Sequence, residues 1–386
     1  MSKRTYVYIS SWYFQKTCDG FGISAYALNT QSGELQFIET VKSEVLFDFA
    51  YFDENRGLLY ALAESTQQPE LYGGGGRIFV FRIDPDTGRL TQMSCAETWC
   101  PSPCHMSLDP SGRFLAVANH SSHASVVQIE EDAGGNYYPR LEWADSTVEL
   151  FSVNEDGTIG KLLDVSKHMG NGPETRQTHP HPHCTVRSPS GNLYAVCDKG
   201  NDTVRMYRID PEKGKLIRPS HIYQQTPGKL PRHCVFHPEK PWFYHNNENS
   251  PEFDAFTYRE DGLLQAMGTY SVLPDHVEMQ DEVFAQQGVV IDGNGKYIYN
   301  LTSGPNVITV FKVNQKDGSL KAIQHQPVAE KWPRGCAISP DGKFLLVCCM
   351  TGGQVIEYAI GSDGRLRETA VKVEVPFASE AAFCTF

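Results

Sequence analysis

Along most of the chain, apolar and polar positions alternate with a period of two. The runs are short and rich in Val, Tyr and Phe, such as TVRMYRID at 203–210 and VITVFKV at 307–313. That alternation predicts half-buried β-strands, and no segment sustains the 3.6-residue period of a helix. Between the strands a turn ending in Gly-x-Leu or Gly-x-Ile recurs: QSGEL at Gly33, DTGRL at Gly88, EDGTI at Gly157, EKGKL at Gly214, EDGLL at Gly262, KDGSL at Gly318 and SDGRL at Gly364. A glycine there supplies the positive φ of a tight hairpin, and the aliphatic residue opens the return strand with its side chain inward.

A second unit lies between these turns: a small or apolar strand, a Pro/Asp-Gly turn, then an aromatic-aliphatic strand. Copies are SLDPSGRFLAVAN (107–119), TVRSPSGNLYAVC (185–197), VFHPEKPWFYHNN (235–247), VVIDGNGKYIYNL (289–301) and AISPDGKFLLVCC (337–349), with a looser one at 49–63. Successive Gly-x-Leu turns are 55, 69, 57, 48, 56 and 46 residues apart, the spacing of four-stranded blades. The pattern therefore predicts an all-β, seven-bladed β-propeller. Pairing of TYVYISS (5–11) with AAFCTF (381–386) would close the ring and leave no open edge. Residues 1–386 then form one domain, although length alone, at about 150 residues per domain, suggests two or three. The period stretches at 129–147, read as an insertion within a blade, and at 165–182, read as a long inter-blade loop, where function tends to concentrate.

Charge narrows the partners. With 34 Lys+Arg against 46 Asp+Glu, the net charge of −12 argues against nucleic acid and anionic membranes as partners. No run approaches a membrane span, and MSKRTYVYIS has no signal-peptide core. The eleven cysteines are odd in number and sit mostly in strand-like runs, so reduced core thiols and a cytoplasmic location are expected. Cys100 and Cys104 lack a second pair at zinc-site spacing. Monomer and small homo-oligomer both remain open.

Three segments carry polar residues that a strand core does not need: GNGPETRQTHPHPHC (Arg176, Gln177, His179, His181, His183), LPRHCVFHP (Arg232, His233, His237) and FYHNNENS (His245, Asn246, Asn247, Glu248). His183 and Arg232 should each precede an innermost strand in neighbouring blades. Glu248 ends the following strand, so all three can meet at one mouth of the channel. Arginine offers a fork for carboxylate or phosphate. Glutamate and histidine are general acids and bases. Such a trio suits water attack on a lactone carbonyl, with cationic or N–H donors stabilising the oxyanion; no Gly-x-Ser-x-Gly nucleophile motif is present. Pro180 and Pro182 should hold the histidine run extended and splay the imidazoles, so neither a metal nor another cofactor is expected.

GNGPETRQTHPHPHC, LPRHCVFHPEKPWFYHNNENS and PRGCAISPDGKFLLVCC together resemble the seven-bladed-propeller lactonase family, which includes cycloisomerase-type 6-phosphogluconolactonases and the 3-carboxy-cis,cis-muconate lactonising enzyme. The resemblance spans essentially the whole chain. It implies Glu248 as the proton-transferring group, with His183 and Arg232 holding a small anionic lactone or sugar acid. Arg176 and Gln177 match the family's loop, and His181, His233, Gln286 and Gln287 are candidate substrate contacts. Where the family carries a further arginine this chain has Phe284, which implies one anion-binding cation fewer. Asp275, His276 and Glu278 nearby have no assigned role. Two alternatives stay open: a lactonising cycloisomerase using the same glutamate, and a non-catalytic scaffold. The scaffold is disfavoured by the absence of Gly-His and Trp-Asp repeat signatures.

Overall fold

A computed structural model describes residues 3–12, 21–64, 75–122, 124–277 and 283–386. Seven sheets of antiparallel strands follow one another around a channel. Blade 1 is assembled from both ends of the chain: Ala378–Thr385 is innermost and pairs with Thr5–Ser11, with Thr5 opposite Thr385 and Ile9 opposite Ala381. The ring closes as the terminal patterns predict. Blades 2 to 7 then run in chain order, each from the channel outward.

All seven Gly-x-Leu glycines have positive φ, from 60° at Gly214 to 88° at Gly157. Each lies in the turn between the third and outermost strands of a blade. The turn also pins neighbouring blades. Tyr8, Tyr60, Tyr244 and Tyr299, on second strands, donate their hydroxyls to the carbonyls of Gly88, Gly157, Gly318 and Gly364 in the next blade. Around these pins lie seven apolar clusters, each straddling one blade-to-blade interface. The core is thus a ring of sheet-on-sheet contacts, one between each pair of neighbouring blades.

Two blades depart from the repeat. In blade 3 the stretched period is a two-stranded ribbon, Ser125–Glu131 with Tyr137–Trp143, inserted between the second and third strands. It begins before the expected 129 and stands outside the blade's own sheet. In blade 4 the inter-blade loop starts after Lys167 and reaches Thr185, so the innermost strand shrinks to Val186–Arg187. Pro180 and Pro182 cannot donate to a ladder; Pro182 makes only an isolated bridge to Asp198. No helix among the described residues is long and apolar enough to cross a membrane.

Candidate active site

The repeat that builds the blades also builds the mouth. In each blade the second strand returns to the same end of the channel, and the residue just beyond it points to the rim. Those positions are Trp12 in blade 1, Glu64 in blade 2, His120 in blade 3, Lys199 in blade 4 and Glu248 in blade 5. All five line one cavity of about 270 Å³. A second equivalent set comes from the starts of innermost strands. Leu230 and Trp332 adopt left-handed φ of 60° and 59°, each followed by Pro and then Arg. Arg232 and Arg334 are therefore the same position in blades 5 and 7, and both line the cavity with His183, Gln287 and Arg176.

Glu248 sits at the centre of a buried cationic cradle. Lys199 Nζ lies 2.8 Å and Arg232 Nε 3.1 Å from Oε2, while Arg176 Nη1 lies 3.4 Å from Oε1. Burial alone would raise its pKa, but Lys199, Arg232 and Arg176 outweigh that and hold it at about 2. Glu64 is in the opposite condition. Burial, and then the neighbouring Asp48 carboxylate, push its pKa well up. Asp48 itself pairs with Arg334, whose guanidinium lies 4.5 Å over the Trp12 ring. His183 is buried, and burial followed by Arg232 pushes its pKa well down, leaving a neutral imidazole. Its Nδ1 and the Oε1 of Gln287 have no hydrogen-bond partner within the protein. Two carboxyls with pKa values driven apart, a neutral imidazole and four cations make a site for moving protons beside an anion.

Glu248, His183, Arg232, Arg176 and Gln287 meet as the sequence predicts. Four other expected contacts do not reach this cavity. Gln177 is fully buried and braces the loop, donating to Lys199 O at 2.9 Å. His181 is tied back to His120 O at 2.8 Å and stacks on that ring. Gln286 bonds the carbonyls of Ser250 and Glu252 and accepts from Asn300. His233, next in sequence to Arg232, turns down the channel into a larger cavity of about 560 Å³. That space is lined largely by apolar residues such as Met106, Val235 and Val289, with Arg187 and Glu380 among its few charged groups, and it holds none of the four cations of the mouth.

The position of the missing arginine carries no cation. Phe284 packs against the apolar cluster between blades 5 and 6, but Lys199 and Arg334 add two cations that the sequence reading overlooked. The signal was present in the repeat: PRHC at 231–234 recurs as PRGC at 333–336, and Lys199 occupies the blade-4 position of Glu248. Asp275 and His276 lie exposed on a loop, and Glu278 falls outside the described residues. His237 and His245 pack against Trp242 and Phe256, away from the mouth.

The histidine loop is not splayed. Because the chain bends at Thr178–His179, the rings of His179 and His181 come within 4.1 Å. Even so, among the described residues only Cys184, Cys197 and Cys234 bring metal-ligating atoms together, within 4.8 Å. They belong to the apolar cluster between blades 4 and 5. Burial pushes the Cys197 and Cys234 thiols well up, while at Cys184 burial is outweighed by hydrogen bonds from those two, which pull the thiol well down, so the trio offers one ready thiolate and not three.

Fold and mouth together define a propeller with one acid–base, anion-facing site. Residues 7–383 match the model of the family described as lactonase, seven-bladed β-propeller, and the chain belongs to that family. It is 27% identical to a 6-phosphogluconolactonase of Formosa agariphila over 95% of this chain and 96% of that one. It is 26% identical to a 6-phosphogluconolactonase of Bacillus subtilis, over 92% of each. The solved periplasmic gluconolactonase of Pseudomonas aeruginosa superposes with a TM-score of 0.83 at 24% identity, covering 99% of both chains.

Proposed function

We propose that the chain hydrolyses a sugar-derived δ-lactone carrying an anionic group, of the 6-phosphogluconolactone or aldonolactone class. The observation that carries this is the pairing of Glu64 and Glu248, with pKa values driven in opposite directions, across a cavity that also presents Arg176, Lys199, Arg232 and Arg334. The volume of about 270 Å³ lies just below the roughly 300–1,000 Å³ of drug-sized pockets, which suits one small sugar. The substrate's anion takes Arg176 and Lys199 from Glu248. Released from those cations, Glu248 becomes more basic and accepts a proton from the attacking water. Arg232 and the neutral His183 stabilise the tetrahedral oxyanion. Glu64, whose raised pKa keeps it protonated above the usual carboxylate range, gives its proton to the departing ring oxygen, so the lactone opens to the hydroxy acid. Ten described cysteines, all free, support a reducing, cytoplasmic compartment.

The test is the rate of acid release from freshly prepared glucono- and 6-phosphoglucono-δ-lactones at pH 6.5, with spontaneous opening subtracted. The purified protein should accelerate at least one, and the phosphorylated lactone by a larger kcat/KM. Rates equal to buffer for both, from protein with native circular dichroism, would sink the assignment.

A further inference from the structure

The inserted ribbon of blade 3 has two unlike faces. Cross-strand pairing sets Val127 opposite Leu141, Ile129 opposite Pro139, and Glu131 opposite Tyr137. By the two-residue alternation, those pairs share one face with Ser125 and Trp143. The other face is polar apart from Val126 near the ribbon's base, and its charged groups are paired with one another. Arg140 reaches Glu130 and Glu142 at 2.5 Å each, and Tyr138 donates to Glu130 at 2.9 Å. A ribbon surrounded by water on both sides has no reason to sort its residues this way, and a lone two-stranded ribbon is marginal in stability. At its base Trp143 stacks on His179, but the rest of the apolar face is open: Val127, Ile129, Tyr137 and Leu141 are among the most exposed large hydrophobic residues.

Exposed apolar side chains also stand on the loops that flank the ribbon. Trp99 and Met169 are 74% and 75% exposed at the same end of blade 3. The Trp99 amide approaches the side chain of Glu149 in the strand the ribbon leads into. Met169 follows Lys167, which pairs with Asp145 at the ribbon's exit. These six side chains leave about 800 Å² open per copy, taking roughly 160–260 Å² for each when fully exposed, against the ~800 Å² per partner of a standard stable interface. The face also solves an electrostatic problem. Two copies at −12 repel each other, but on this surface the exposed Lys167 and Asp145 neutralise one another and Glu131 near the ribbon tip adds a single net charge, so it can meet its own image across a two-fold axis.

We propose that this surface joins two copies of the chain in an isologous homodimer, with the ribbons packed face to face and Trp99 as an anchor. Sedimentation velocity and light scattering of the full chain from about 1 to 50 µM test it; a dimer of this area is expected to hold through that range. Wild type should have twice the 43.1 kDa monomer mass. Val127→Glu with Leu141→Glu should weaken association by about 100-fold or more, with unchanged circular dichroism, because the ribbon lies outside the blade sheets. Val126→Lys, on the opposite face, should leave the dimer intact. A wild type that is monomeric at the highest concentration overturns the proposal, whether another protein or the chain itself covers the face. So does a dimer that survives the double substitution.

Discussion

Glu248→Gln tests the electrostatics of the mouth apart from its chemistry, since it removes one charge and little volume. In the folded protein the carboxyl titrates at about 2 instead of 4.5, a shift of 4.5 − 2 = 2.5 units. At 1.36 kcal/mol per unit, the cradle favours the carboxylate over the neutral acid by about 3 kcal/mol. The amide leaves Arg232, 4% exposed, with no carboxylate at its Nε, so a loss of about 2–3 kcal/mol at pH 7 is expected. The sign with pH follows from the depressed pKa. This contribution is fully present above about 4.5 and drains away as pH falls towards 2. Urea unfolding from pH 6 down to 2.5 should therefore show wild type converging on the variant. Two results would refute the argument: a variant as stable as wild type at pH 7, or a difference that does not shrink in acid.

Glu64→Gln should lower kcat for lactone opening at least about 100-fold with a smaller change in KM. It should also abolish the alkaline limb of the wild-type kcat profile, because a general acid fails as pH rises through its raised pKa. A variant retaining that limb assigns it elsewhere. Gln286→Ala is the converse case, since Gln286 braces Ser250, Glu252 and Asn300. Chemical denaturation should show a loss of about 2–3 kcal/mol, with kcat/KM within about twofold; a large kinetic defect in a stable variant would return Gln286 to the site.

Strand period and the Gly-x-Leu turn were enough to predict blade number and ring closure, because both are local consequences of pleat and hairpin geometry. The site was legible only in part. Arg232 and Glu248 stood out because they fall in polar runs. Lys199 and Glu64 each follow an apolar strand, YAVCD and LLYALA, where a single charged residue looks like an ordinary strand end. Only superposing the blades as repeats shows that these ends converge. The side-chain alternation that separates Arg232 from His233, and the loop packing that withdraws Gln177 and His181, depend on contacts far apart in sequence. No local pattern reports them.

How a chain at −12 can favour an anion turns on which of its mouth acids are ionised. Arg176, Lys199, Arg232 and Arg334 face Glu248 and Asp48, and Glu64 stays protonated as pH passes its usual range. Glu380, at the start of the closing strand beside Arg334, is pushed by burial to about 8. With four cations against at most three carboxylates the rim is net positive, inside a negative molecule, and Glu380, in the channel below it, adds one nearby negative charge as it ionises. In a buried setting one charge a few ångströms away is worth about 1–2 kcal/mol on a bound anion at an effective dielectric near 20, once distance and water are allowed for. Calorimetric titration with a phosphorylated sugar acid should thus show affinity falling about 5- to 20-fold between pH 7 and 9. The unphosphorylated acid, with less charge, should lose less. Glu380→Gln should flatten the curve for both ligands, because an amide cannot ionise. If affinity for the phosphorylated acid stays constant across that interval in the wild type, the neutral acids are not what makes the mouth positive, and the charge balance must come from the four cations alone.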